Sequence, residues 1–97
     1  MRKYAISFNL DKNKVNQYYT NGTHISYAFK DIENILTQFK FEKYSNTFYV
    51  GEVNSVTSVL AVQKLQQQYP WFKLCVKDLI LHRIEEQCDL SLALKWW

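Results

Sequence analysis

A chain of 97 residues with a net charge of +3, 47% hydrophobic and 16% aromatic, is read as one domain spanning residues 1–97, with ample apolar matter for a packed core. Two glycines and one proline exclude collagen-like and low-complexity chains, and the apolar fraction excludes a disordered body. The mild positive charge permits a polyanionic partner but falls short of the cationic excess of a duplex-DNA coat.

Residues 3–11 alternate: Tyr4, Ile6, Phe8 and Leu10 point one way, Ala5, Ser7, Asn9 and Asp11 the other, which predicts a first strand with one face buried. Lys12 to Gly22 reads as a polar connection ending in an Asn21-Gly22 turn, long enough to be the most mobile part of the molecule. Thr23 is the expected N-cap of a helix from about 24 to 39, because Ile25, Phe29, Ile32, Ile35, Leu36 and Phe39 recur at helical spacing. Phe41 to Tyr44 and Thr47 to Gly51, joined by Ser45-Asn46, predict a hairpin with Thr47 and Tyr49 opposite in facing to Phe48 and Val50.

Asn54 or Ser55 caps a second helix carrying Val56, Val59, Leu60, Ala61, Val62 and Leu65, and Tyr69-Pro70 ends it, since the residue before proline is pushed out of helical geometry. Trp71-Phe72 forms an aromatic plug, and Leu74 to Ile84 is a β-rich run. The tail Asp89 to Trp97 fits either a short strand or a helical turn; its Leu90, Leu92, Leu94, Trp96 and Trp97 are apolar enough to act as a dimer clasp. Cys75 and Cys88 have no zinc-ligand spacing and read as reduced buried thiols. The chain lacks a membrane-span run or a signal pattern, so a cytoplasmic setting is expected.

Strand, helix, strand, strand, helix, strand predicts an α+β fold: a ferredoxin-like βαββαβ sandwich, four antiparallel strands with two helices on one face. The bare face, expected to carry Ala5, Ser7, Asn9, Thr47 and Tyr49, is most economically covered by a second copy.

Tyr4-Ala5-Ile6-Ser7-Phe8-Asn9-Leu10, Ser26-Tyr27, Lys40-Phe41, Ser45-Asn46-Thr47-Phe48-Tyr49, Trp71-Phe72, Val76-Lys77-Asp78, Arg83-Ile84-Glu85 and Asp89 together resemble, in order and spacing, the virulence-associated protein D family. The resemblance implies a ferredoxin-like homodimer acting as an endoribonuclease, typically the toxin of a bacterial toxin–antitoxin pair. RNA and a protein antitoxin would be its partners, no membrane is involved, and participation of a divalent cation such as magnesium stays open. The family's best catalytic candidate, an acidic residue closing the first strand, falls on Asn9, whose amide can neither titrate usefully nor bind a cation well. Either the position is silenced or the work has moved to Asp11, on the same face.

Thr47 stands where the family has a serine and could meet a scissile phosphate or brace the turn. Asp78, inside an apolar run, is either a catalytic carboxylate or the ion-pair partner of a neighbour such as Lys77 or Arg83, or of a residue on a two-fold mate. Lys12 and Lys14 would give RNA a positive rim, Arg83 could clamp phosphate or pair with Glu85 or Glu86, and Tyr49 on the bare face could meet bases. His24 reads as a surface residue and His82 as a packing one; Tyr18 and Tyr19 either stack bases or pin their loop. The competing function is a non-catalytic RNA- or protein-binding module of the same fold. The third strand, however, lacks the aromatic pattern of RNA-recognition motifs.

Overall fold

β1 (Lys3–Leu10) is the hub of the molecule. In the computed structural model, which describes residues 3–19 and 24–84, β1 pairs antiparallel with both β3 (Phe48–Gly51) and β4 (Val76–Ile84). β2 (Phe41–Ser45) forms a hairpin with β3, giving the sheet order β2-β3-β1-β4. That order is what two crossover connections produce from the predicted succession of elements, and the α+β ferredoxin-like arrangement stands. Residues 85–97, with Cys88, Glu85, Glu86 and the apolar tail, lie outside the described residues, as do Asn21, Gly22 and Thr23.

One face of the sheet is covered. Ile6, Phe8 and Leu10 of β1 pack with Ile32, Ile35 and Leu36 of α2 (Ile25–Gln38), Ala61 and Leu65 of α3 (Ser55–Gln68), and Phe72. α2 starts at His24, one residue after the expected cap, where the imidazole Nδ1 accepts the Ser26 amide at 3.1 Å. Asn54 caps α3 through the Thr57 amide at 2.8 Å, and Tyr69 ends it as the following proline requires. Not all of α3's apolar residues are buried: Val56, Val59 and Leu60 are exposed. An apolar groove of about 230 Å³ runs between α3 and β4, lined by Ile6, Val59, Val62, Leu79 and Leu81 among others.

Two short helices replace expected irregular chain. The polar connection after β1 is α1 (Lys12–Tyr18), nucleated because the Asp11 carboxylate accepts the amides of Asn13 and Lys14 at 3.0 and 3.2 Å. Val15 and Tyr19, four apart, then face the body. Tyr19 donates to Asp31 at 2.7 Å and meets Trp71 edge-on at 4.9 Å, so it pins this segment; burial, then Asp31, raises its hydroxyl well above the ordinary phenol range. The plug residues open α4 (Trp71–Cys75), where Phe72 is 2% exposed and packs against Phe8. Cys75 is buried and reduced, its thiol pushed up by burial and then by Asp11.

The hairpin differs from expectation in a way that matters for the site. Its turn is Asn46-Thr47, one residue later than expected, with an irregularity between Lys43 and Ser45. Facing along β3 is therefore the reverse of the expected one. Tyr49 pairs with Ile6 on the covered side and is 0% exposed, stacked on Phe8, whereas Phe48 and Val50 pair with Ser7 and Ala5 on the other. Gly51 is needed at the hairpin's far end, since a Cβ there would sit 3.0 Å from the Phe41 ring and 3.1 Å from the Lys40 carbonyl. Lys40, just before Phe41, holds a left-handed φ of 67°, a conformation that favours glycine.

Candidate active site

The side chains that matter lie on the sheet face that no described helix covers. Because Tyr4, Ile6, Phe8 and Leu10 turn into the core, Ser7 and Asn9 are left on the open side, half-buried and exposed respectively. Ser7 stands opposite Ile80 and Asn9 opposite Lys77. Between those pairs β1 contributes only Phe8 and β4 contributes both Asp78 and Leu79, which is a β-bulge; Asp78 takes a left-handed φ of 56°.

The bulge has an electrostatic consequence. Continued without it, the pairing of Ser7 with Ile80 would set Asp78 opposite Asn9. The extra residue puts Lys77 there instead, so the end of β1 meets an ammonium rather than a carboxylate. Lys12 and Lys14 follow on the exposed side of α1. Neither they nor Lys77 is ion-paired among the described residues, while Asp11 and Asp78 temper the local charge. Fixed positive charge at a strand end suits a phosphate.

Thr47 is brought to this place, since its carbonyl accepts the Phe8 amide at 3.1 Å. Asp11, two residues on from Asn9, caps α1: its Oδ1 accepts the amides of Asn13 and Lys14. Arg83 is not gathered in: it pairs with Tyr4 at the opposite end of β1 and on the covered side. Tyr49 is corrected as an RNA contact, because a ring with no exposed surface offers no face to a base; burial, and then Glu33, push its hydroxyl up to about 12.

Two features escaped sequence reading. The ring of Phe48 meets that of exposed Tyr44 edge-on at 6.2 Å on the open side beside Ser7, and only the displaced turn explains that facing. His82, read as a packing residue, is exposed, and its Nε2 lies 2.7 Å from the Ser7 Oγ. The single signal for it in the sequence was a histidine at alternate spacing from Ile80 and Ile84. His24, by contrast, serves as a helix cap. Among the described residues, no group of three or more His, Cys, Asp or Glu comes together that could hold a metal ion, and no helix is long and apolar enough to cross a membrane.

No family model matches the chain. Curated relatives do. The chain is 44% identical over 92 residues to "Endoribonuclease VapD 2" of Riemerella anatipestifer, covering 94% of this chain and 98% of the relative. It is 38% identical over 94 residues to "Endoribonuclease VapD homolog" of Helicobacter pylori, covering 95% and 96%. A relative of the same name from Neisseria gonorrhoeae is 29% identical over 92 residues. Similarity at this level, over nearly the full length of the chain and of its relatives, makes the chain a member of the VapD endoribonuclease family.

Proposed function

We propose that this chain is an endoribonuclease that cuts single-stranded RNA over the open face of its sheet, acting as a homodimer whose two open faces line the cleft. The observation that carries the reading is the bulge in β4, which sets Lys77 rather than Asp78 opposite Asn9 and so prepares the strand end for a phosphate. Lys12 and Lys14 extend the positive rim. Tyr44 and Phe48 supply aromatic surface on which bases stack, an interaction worth about 1–3 kcal/mol per base. Thr47 and Asp78 flank the phosphate position. The family resemblance extends the reading to a toxin that works on cytoplasmic RNA and is neutralised by a protein antitoxin.

The test is binding and cleavage of a labelled single-stranded RNA by the purified chain and by the Lys12→Glu/Lys14→Glu/Lys77→Glu variant. The chain is expected to cut, and the variant to bind at least about tenfold more weakly. The slope of log affinity against log salt should fall in magnitude by up to about 2, at roughly 0.7 per lost single-strand phosphate contact. Tight binding without cleavage would favour the non-catalytic module, and unchanged binding by the variant would remove the phosphate site from this end of the sheet.

A further inference from the structure

Cleavage of RNA at the end of β1 needs a proton acceptor, and the residue that closes the strand supplies none. Asn9 carries an amide, and the Asp11 Oδ1 accepts two backbone amides at the head of α1. One strand position back on the same face, however, the Ser7 Oγ and the His82 Nε2 are joined at 2.7 Å, and the ring's other nitrogen has no hydrogen-bond partner among the described residues. Ser7 and Asn9 project from the same strand face about 6.8 Å apart, two residues at the usual rise.

Resting on the endoribonuclease reading, we infer that His82, oriented by Ser7, is the catalytic base of this chain: it takes the proton of the ribose 2′-hydroxyl while the adjacent phosphate sits between Asn9 and Lys77.

Imidazole suits the task because it is the side chain whose ordinary titration falls near neutrality. A base also has to be aimed. In the tautomer with the proton on Nε2, that N–H donates to the Ser7 Oγ, and the Nδ1 lone pair is left to accept a proton. Ser7 is half-buried in the central strand, while His82 is on the edge strand, so the serine holds the ring from the rigid side. Ser7 is thus a positioning residue and His82 the one that touches substrate.

In the step itself, the 2′-hydroxyl proton passes to Nδ1 as the 2′-oxygen forms its bond to phosphorus. The bond from phosphorus to the 5′-oxygen breaks, and that oxygen takes a proton from water. The resulting hydroxide recovers the proton held by the imidazolium, which returns the enzyme to its starting state. The products are a 2′,3′-cyclic phosphate and a 5′-hydroxyl. Lys77 stands where charge builds on the phosphate oxygens.

The experiment compares the chain with His82→Gln, Ser7→Ala and Asn9→Asp on a labelled single-stranded RNA, together with the same RNA carrying a 2′-deoxyribose at the cut position. His82→Gln is expected to lower kcat/KM at least about 100-fold, the lower range for loss of a general base, with RNA affinity and melting temperature kept. Ser7→Ala should lower kcat about tenfold without raising KM. The products should carry 2′,3′-cyclic phosphate ends, and the deoxy substrate should stay whole. If the parent cleaves and His82→Gln cleaves equally, or if the deoxy substrate is cut, the inference is overturned while the endoribonuclease reading stands. Activity in Asn9→Asp alone also overturns it, by returning the chemistry to a carboxylate. Activity in none of them removes the endoribonuclease reading itself.

Discussion

Asn9→Asp should raise the rate of single-stranded RNA cleavage about 100-fold. The substitution places a carboxylate at the exposed end of β1, where the family is expected to carry one. Its cross-strand neighbour is Lys77. An opposite charge at that range favours the ionised carboxylate, so the new group is present in the form that accepts a proton. General base catalysis is typically worth roughly 10²–10⁴-fold, and the low end applies because His82 already supplies part of that function. The two bases should also be coupled. In the Asn9→Asp background, His82→Gln should cost less than about tenfold, because two groups that do the same work are not additive. Folding does not confuse the comparison, since a cross-strand pair of opposite charges adds only about 0.2–1 kcal/mol. An unchanged or lower rate in Asn9→Asp would show that a carboxylate at this position takes no part in the chemistry.

The largest effect on stability is expected for Phe72→Ala. Phe72 is 2% exposed, meets Phe8 edge-on at 6.1 Å and lies against Trp71 at 6.3 Å. Truncating a buried aromatic ring loses its transfer energy and leaves a cavity, together about 3–5 kcal/mol. Against a total of about 5–15 kcal/mol for a domain, that loss leaves little margin. The substitution also has a local reach. α4 runs directly into β4, and the Cys75 carbonyl accepts the Asp11 amide at 2.8 Å, so α4 fixes where the bulge and Lys77 begin. Urea denaturation should show the midpoint falling with little change in slope. A loss below about 1 kcal/mol, under the usual range for such a truncation, would mean that Phe8 and Tyr49 close the gap.

The elements of the fold were legible because their apolar spacing was strong. Strand β1 alternates without a break, helix α2 carries its core residues on one stripe, and Pro70 marks the end of α3. α1 was not legible as a helix. Its sequence is polar apart from Val15 and Tyr18, and its stability comes from the Asp11 cap and from Tyr19 docking on Trp71, a tertiary contact that no local pattern contains. The capping role of Asp11 was missed for the same reason, since a carboxylate that caps and a carboxylate that catalyses look alike in one dimension.

Part of the layout of the candidate site was legible. Asn9, Thr47, Asp78, Lys12 and Lys14 gather at one end of the sheet. Tyr49 and Arg83 do not, because each depends on strand register. A hairpin turn displaced by one residue reverses every facing beyond it, which buries Tyr49 and uncovers Phe48. The bulge at Asp78 changes facing within β4 in the same manner. His82 became visible only once β4 was laid beside β1, because 75 residues separate it from Ser7 in the chain.

In the proposed function, RNA is handled on the open face of the sheet. Photo-crosslinking with a single-stranded RNA carrying 4-thiouridine, combined with peptide mapping, tests it most directly. Crosslinks are expected on the peptides that hold Tyr44 and Phe48 and on the one that holds His82, and they should fade with rising salt as phosphate contacts are screened. Crosslinks confined to the outer surfaces of α2 and α3, with none on β2, β3 or β4, would contradict the claim.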